Sequence, residues 1–275
     1  MGRPRRRGRP DLFVVVVDCR AAMSDMIRKI AFLVPKQGVS LAAFTDYWRG
    51  KHGPLVANSP GYAAWRSQYA QNHVLGLGPI GAPPAFAGMA AFRLPSAAPN
   101  EDDYATTPIY LDRIRIDELN FIDMDRTVSM SAIEHPLKRG TGAAKIVILS
   151  TRAAALSSED FASDLCTRHR DAVLALPAAQ LLRGWSANVV IPGTFRLPGA
   201  RAVQALKMDC VEEFWFDTSD DASAFFAALA SSDEVRAVAS GLIDTRSLIS
   251  FQAEELVYFD DGRPTALAMQ SSPAS

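Results

Sequence analysis

One block of this chain nearly occurs twice, and that duplication constrains the fold more than any other feature. The first copy runs from Phe44 to Pro54 and the second from Phe161 to His169. The two phenylalanines are 117 residues apart, and so are the two histidines, His52 and His169. A period this long exceeds that of solenoid repeats, so it predicts two copies of one domain.

Length and charge agree with a two-domain globular protein. The 275 residues leave room for two domains of ordinary size, and 48% of them are apolar. Residues 1–10 carry five arginines and no acid, which leaves 24 basic against 30 acidic residues in the rest of the chain. An acidic body argues against nucleic acid as the main partner.

The first 26 residues predict neither a leader nor a membrane anchor. The apolar run from Leu12 to Val17 ends at Asp18, which is too short for the core of a secretory signal. No stretch approaches the roughly 20 apolar residues that cross a bilayer. Three cysteines at unrelated spacings suggest reduced thiols rather than a disulfide framework. We expect residues 1–26 to be a disordered extension of a cytoplasmic protein that does not bind membranes.

The first copy reads as alternating strands and helices. Ser40 is a plausible N-cap for a helix that carries Phe44, Trp48 and His52 on one stripe, and the Gly53-Pro54 pair is expected to end it. A second helix is predicted over 102–114. Strands are predicted over 30–34, 65–74, 86–94 and 127–134.

The second copy repeats this order, β-α-β-β-α-β. Its predicted strands span 145–149, 182–191, 210–216 and 250–259, and its helices span 157–175 and 222–239. The predicted domains are therefore 27–136 and 145–262, with a linker at 137–144 and a disordered tail at 263–275. Such an α+β unit is ferredoxin-like, with one sheet face free of helices. We expect the two sheets to face each other in an eight-stranded, barrel-like core.

The first copy resembles the EthD domain family of the dimeric α+β barrel superfamily. The resemblance rests on the block from Asp46 to Val56, on Pro60-Gly61, and on the segment from Tyr69 to Val74 that contains Gln71-Asn72-His73. The second copy keeps Phe161 and His169 but lacks Gly-Pro after the histidine, and it has Val189 where the first has His73. The chain thus looks like a tandem form in which one molecule supplies both halves of a single-chain barrel.

That resemblance implies several activities. Relatives in aromatic polyketide pathways act as cofactor-free decarboxylases or dehydratases, related barrels include cofactor-free monooxygenases, and some members have no clear catalytic role. Fold similarity alone does not choose among them. We expect a lyase without cofactor that releases carbon dioxide, water or an aldehyde such as formaldehyde from a small aromatic or polyketide-like substrate. The alternatives are a cofactor-free monooxygenase and a non-catalytic protein that binds aromatic metabolites.

The candidate catalytic residues are His52, His73 and Tyr69. An imidazole can take and give a proton near neutral pH, although a histidine at a helix end also serves structural roles. Tyr69 can donate a hydrogen bond to a developing oxyanion. Since side chains alternate along a strand, Tyr69, Gln71 and His73 share one face. Asn72 points the other way, which favours a role in the scaffold.

The candidate substrate-binding residues are mainly aromatic. They are Phe44, Tyr47, Trp48, Lys51, Asn72, Trp185, Trp215 and His169. Stripes of aromatic residues at helical spacing are more often ordinary core, a lysine in a last helical turn is more often solvated, and His169 reads either as a remnant or as a second site. No metal site or nucleotide loop stands out. A homodimer of the two-domain chain remains compatible with the sequence.

Overall fold

A computed structural model describes residues 26–95, 104–191 and 208–270. The predicted N-terminal extension lies outside the described residues except for Met26, which begins the first strand. No helix within the described residues is long and apolar enough to cross a membrane.

The first half of the chain runs from β1 to β4. Its strands are β1 (Met26–Leu33), β2 (Gln68–Leu77), β3 (Gly88–Arg93) and β4 (Val128–Lys138). Its α-helices are α1 (Leu41–Tyr47), α2 (Gly53–Ala57) and α3 (Arg115–Phe121). Two π-helical turns, Trp48–His52 and Tyr110–Ile114, and two 3-10 turns, Tyr62–Ala64 and Tyr104–Thr106, join them.

The second half runs from β5 to α8. Its strands are β5 (Ala144–Arg152), β6 (Leu182–Ile191), β7 (Cys210–Phe216), β8 (Ile243–Asp260) and the short β9 (Arg263–Pro264). Its α-helices are α4 (Ser158–Asp164), α5 (Arg170–Leu174), α6 (Ser219–Ser231), α7 (Asp233–Leu242) and α8 (Ala266–Met269). A π-helical turn, Leu165–His169, and a 3-10 turn, Pro177–Gln180, complete it.

Eight antiparallel strands close into a barrel. The strand order is β2-β3-β1-β4-β6-β7-β5-β8, and β8 pairs again with β2. The two halves are therefore hydrogen-bonded to each other along both edges, β4 with β6 and β2 with β8. Closure leaves none of these eight strands as a free edge.

Alternation along each strand separates the barrel interior from the outer faces. On β1, Ile30 and Phe32 join an interior cluster with Met89, Val147 and Phe251. The neighbouring outer residues of β1, including Ala31, pack against the helices of the first half. A functional site therefore lies either in the barrel interior or between the sheet and its helices, wherever polar side chains occur that the fold does not require.

The barrel interior holds an ionic network at one end. The Arg28 guanidinium contacts Glu134 at 3.1 Å and Glu213 at 3.4 Å. The Lys145 ammonium lies 2.5 Å from Glu213, 2.6 Å from Glu255 and 2.7 Å from the Asn72 side-chain oxygen. Two of these contacts, Arg28 with Glu213 and Lys145 with Asn72, cross from one half of the chain to the other, so the network ties the halves together.

A third pair of residues, Arg28 and Lys145, shows the same 117-residue spacing as the phenylalanines and the histidines. Arg28 and Lys145 are 117 residues apart and share the carboxylate of Glu213. In sequence Lys29 precedes the first apolar strand of the first half as Lys145 precedes that of the second, but Lys29 donates to the Ser131 hydroxyl at 2.8 Å. Arg28 rather than Lys29 therefore faces the barrel interior as Lys145 does, because a one-residue shift moves a strand side chain to the other face.

Several predicted boundaries need correction. The helix expected over 102–114 instead forms the π-helical turn at 110–114 followed by α3, and the linker shortens to 139–143. The helix that carries His52 does not stop at Gly53-Pro54 but continues as α2, since a proline in a first helical turn costs no intrahelical hydrogen bond. Residues 263–270 of the expected disordered tail form β9 and α8, and Ala268 is fully buried because α8 packs against α2. Residues 271–275 lie outside the described residues.

Candidate functional site

A cavity lies between the outer face of the first-half sheet and its helices. Its volume is about 50 Å³. This is several times the minimum that a single water needs. Apolar and aromatic side chains form most of the wall, with a few polar groups among them: His52, Arg66, Tyr69, Tyr110 and Glu118.

His52 reaches this cavity from the end of a distorted helix. The Ser40 hydroxyl caps the N-terminus by accepting from the Ala43 amide at 3.2 Å. Phe44, Trp48 and His52 form the buried stripe, and the last two bound the π-helical turn. π-Helical turns are uncommon and occur often at functional sites.

An aspartate on α3 orients the His52 ring. Asp117 Oδ2 lies 2.7 Å from His52 Nδ1, and the Tyr47 hydroxyl donates to Asp117 Oδ1 at 2.7 Å. Burial favours the protonated acid, but these two hydrogen bonds outweigh it and hold the pKa of Asp117 below its usual value. A carboxylate only accepts hydrogen bonds, so Nδ1 carries a proton, and Nε2 has no hydrogen-bond partner among the described residues.

A second carboxyl group faces the same cavity. Glu118, next to Asp117 in α3, is 8% exposed and accepts from the Tyr110 hydroxyl at 2.8 Å. Burial raises the pKa of Glu118, although His52, Tyr110 and Arg115 act in the opposite direction. Two adjacent carboxyl groups thus have pKa values shifted apart, a pattern typical of acid and base pairs.

Tyr69 lines the cavity from β2. Its ring stacks on Phe92 with centroids 4.8 Å apart. The hydroxyl accepts from the Gln71 side-chain amide at 2.9 Å. Burial raises the pKa of Tyr69, with the Gln71 hydrogen bond acting against it, so this tyrosine serves as a hydrogen-bond donor rather than as a base.

The cavity brings together only some of the residues proposed from the sequence. Trp48, His52 and Tyr69 line it. His73 lies behind the Trp48 ring, with centroids 4.4 Å apart, and Phe44 packs on the far side of Trp48 at 5.6 Å. Tyr47 supports Asp117, while Lys51 is exposed above the Tyr47 ring.

The remaining candidates lie away from the cavity. Asn72 points into the barrel, where it accepts from Lys145, and Trp215 donates to Glu255 in the same interior network. Trp185 and His169 lie against each other under the helices of the second half, with ring centroids 5.8 Å apart. None of the four lines the first-half cavity.

The sequence analysis missed Asp117, Glu118 and Tyr110. They lie about 60 residues beyond His52, in a segment whose helix was predicted too early. Exposed apolar side chains at Leu111, Ile116 and Leu119 weaken the amphipathic pattern there. The adjacent pair of acids in this segment was the available signal.

No group of three or more metal-ligating side chains occurs among residues 26–95, 104–191 and 208–270. The polar groups at the cavity are instead suited to moving protons and binding an anionic oxygen. A histidine with a carboxylate partner, a shielded carboxyl group and a phenol donor supply those functions.

The EthD domain model matches residues 36–125. The match spans one third of the chain and includes both His52 and the α3 carboxyl groups. No curated protein sequence matches this chain at a significant level.

Solved structures support the barrel fold. A candidate monooxygenase from Lactobacillus acidophilus NCFM superposes with a TM-score of 0.50 at 10% identity, covering 88% of this chain and 98% of the other. An anthrone oxidase-like protein superposes with a TM-score of 0.53 at 8% identity, covering 86% of this chain and 92% of the other. At such low identity these likenesses show the shared α+β barrel and nothing about the reaction.

Proposed function

We propose that this protein is a lyase that works without a cofactor on a small aromatic or polyketide-like substrate. The observation that carries the proposal is the His52–Asp117 pair at the wall of an apolar cavity. Aspartate fixes the tautomer of the histidine and leaves Nε2 available as a base. The aromatic wall would hold a ring and exclude water.

Glu118 and His52 have different parts in this proposal. Loss of carbon dioxide or of an aldehyde requires a proton at the carbon that is left behind, and loss of water requires a proton on the departing hydroxyl. Glu118 is placed to deliver that proton, while His52 Nε2 accepts a proton from a substrate hydroxyl or C–H group. Tyr69 would donate to the oxygen on which negative charge develops.

Turnover by the purified protein tests the proposal. Phenolic acids, aryl-propanoid compounds and β-hydroxy ketones, incubated without added metal or nucleotide, should release carbon dioxide, water or an aldehyde that mass spectrometry detects. Replacing His52 with Asn should lower turnover by about 10² to 10⁴-fold, the usual contribution of a general base. His169→Asn, at the matching position of the second half, is the control and should leave turnover unchanged.

Unchanged turnover in His52→Asn would refute the assignment. Asp117→Asn adds a sharper test, because the amide can hold the ring but favours the wrong tautomer. It should reduce turnover with little change in the free energy of unfolding. Saturable binding of several phenols without any product would instead support a non-catalytic metabolite-binding protein.

The second candidate is a cofactor-free oxygenase. The two structural neighbours are described as an oxidase-like protein and as a candidate monooxygenase, which is reason to test this reaction. A base that forms a phenolate also serves oxygenation, so the site geometry suits both. An oxygen electrode separates them, since a lyase turns over substrate without consuming oxygen.

We also propose that the chain is a tandem pair of ferredoxin-like domains. The support is that each half has the order β-α-β-β-α-β, that the histidines end π-helical turns 117 residues apart, and that the halves close one barrel. A homodimer of this two-domain chain would then be a further level of assembly, which sedimentation analysis can test.

A further inference from the structure

A chain of buried hydrogen bonds runs from His73 to the cavity. His73 Nε2 lies 2.8 Å from Gln71 Oε1, and Gln71 Nε2 lies 2.9 Å from the Tyr69 hydroxyl. The same amide nitrogen donates to the Trp48 backbone carbonyl at 2.9 Å. Gln71 is fully buried and His73 is 2% exposed, so solvent does not compete for these contacts.

The Trp48 carbonyl fixes which way the Gln71 amide points. A carbonyl only accepts hydrogen bonds, so the nitrogen of the amide must face it. The amide has two hydrogens, and the second lies toward the Tyr69 oxygen. Flipping the amide would place two carbonyl oxygens 2.9 Å apart in a buried site, which is strongly unfavourable.

The same reasoning fixes the proton on His73. Gln71 Oε1 accepts, so His73 Nε2 must donate. Nδ1 then carries a bare lone pair, and it has no hydrogen-bond partner among the described residues. The opposite tautomer would bury an unsatisfied N–H group and set two acceptors 2.8 Å apart.

Because Tyr69 accepts from Gln71, its own hydroxyl proton must point elsewhere. Tyr69 lines the cavity. We infer that His73 and Gln71 are positioning residues that hold Tyr69 as a hydrogen-bond donor aimed at an anionic oxygen of the cavity ligand, a phenolate or enolate. This inference deepens the proposed function and rests on it for the identity of the ligand. His73 itself does not line the cavity and is not a catalytic residue.

The two halves of the chain support this inference by their differences. A Cβ on Gly53 would lie 2.8 Å from the Gln71 amide nitrogen and 2.5 Å from the Tyr258 ring, so the glycine lets the helix approach Gln71. At the matching positions the second half has Arg170 for Gly53 and Ala187 for Gln71. It also has Val189 for His73, so the glycine, the amide and the imidazole are all absent there together.

The tautomer of His73 is measurable without any substrate. The protein has four histidines, so long-range ¹H–¹⁵N spectra of ¹⁵N-histidine-labelled protein are simple to assign with single His→Gln variants. We expect His73 to be neutral with its proton on Nε2. The pKa of His73 supports this expectation, because burial and the Arg49 charge lower it to about 4. A proton on Nδ1, or a charged ring near pH 6, would overturn the inference.

The polarity of residue 71 is tested by two substitutions of similar size. Gln71→Glu replaces the donating amide with an oxygen that takes the Tyr69 proton, whereas Gln71→Met leaves that proton free. With a substrate found in the turnover screen, Gln71→Glu should lower kcat by about 10²-fold, the effect of losing one oxyanion donor, with little change in KM. Tyr69→Phe should match it, and Gln71→Met should retain more activity than either.

Equal losses in Gln71→Glu and Gln71→Met would mean that residue 71 only packs, which contradicts the inference. Should Gln71→Glu fail to fold, Tyr69→Phe and His73→Leu carry the kinetic test. Both should lower kcat rather than raise KM, and the reverse pattern would be contrary evidence. If the tautomer is as expected but no substrate turns over, the proposed function fails while the hydrogen-bond chain stands.

Discussion

The stability of this protein should fall in mild acid because of His169. The ring is 6% exposed, and its Nδ1 has no hydrogen-bond partner among the described residues. Burial disfavours the charged imidazolium and lowers the pKa of His169 from 6.5 to about 4. His169 therefore binds a proton near pH 6.5 in the unfolded chain, but only near pH 4 in the native protein.

The size of the effect follows from these two pKa values. The native state loses stability as pH falls through this window, and below it no further loss occurs. Between about pH 7.5 and about pH 4.5 the difference in proton binding amounts to about 2.5 kcal/mol of unfolding free energy. This is a large share of the 5–15 kcal/mol that a domain typically has.

Urea unfolding of the wild type and of His169→Gln at both pH values is the assay. The substitution has a packing cost of its own, but near pH 7.5 the wild-type ring is neutral in both states, so that measurement supplies the baseline. We expect the free-energy difference between the two proteins to shift by about 2.5 kcal/mol in favour of the variant on going to about pH 4.5. Parallel pH curves would refute the claim that His169 is buried and neutral.

Three further predictions concern Glu212, Gly88 and Ala31. Burial raises the pKa of Glu212 to about 7, so its contribution to the free energy of unfolding is lost as pH rises. Between about pH 4.5 and about pH 8, the free energy of unfolding of Glu212→Gln should gain about 3 kcal/mol over that of the wild type in urea. A Cβ at Gly88 would lie 2.4 Å from the ring of Trp48, which forms part of the cavity wall. Gly88→Ala should therefore displace that wall and lower the free energy of unfolding by about 1–3 kcal/mol. An unchanged melting temperature would contradict this packing. Ala31→Ile, which copies Ile148 from the second half, should fill the cavity and abolish phenol binding in calorimetry, whereas Ile148→Val should leave binding intact.

The strand pattern was predictable because it depends on local signals. Short apolar runs between Gly- and Pro-rich segments located the eight long strands to within a few residues, except for the N-terminal part of β8. The exact register of the two halves was not predictable in this way. Lys29 and Lys145 look equivalent in sequence, and only the side chains that each contacts show that Arg28 takes the matching place.

Half of the candidate site was predictable for a similar reason. His52 and Tyr69 lie in motifs with recognisable neighbours, whereas Asp117 and Glu118 approach His52 only through the packing of α3 on the first helix. Long-range contacts of this kind leave no periodic signal in the sequence. The role of Gln71 was hidden because it depends on the backbone carbonyl of Trp48, which no sequence motif records.

The second half of the chain shows which features distinguish the proposed site in the first half. Both halves have a π-helical turn that ends in a buried histidine, so the turn and the histidine alone do not make a site. His52 contacts a carboxylate at 2.7 Å, whereas burial lowers the pKa of His169. A buried histidine without a charged partner stays neutral, whereas the hydrogen bond to Asp117 fixes the proton of His52 on Nδ1 and leaves Nε2 with a free lone pair. The pairing of the two halves along both edges accounts for the closed barrel, and the contact with Asp117 distinguishes His52, the proposed base, from His169.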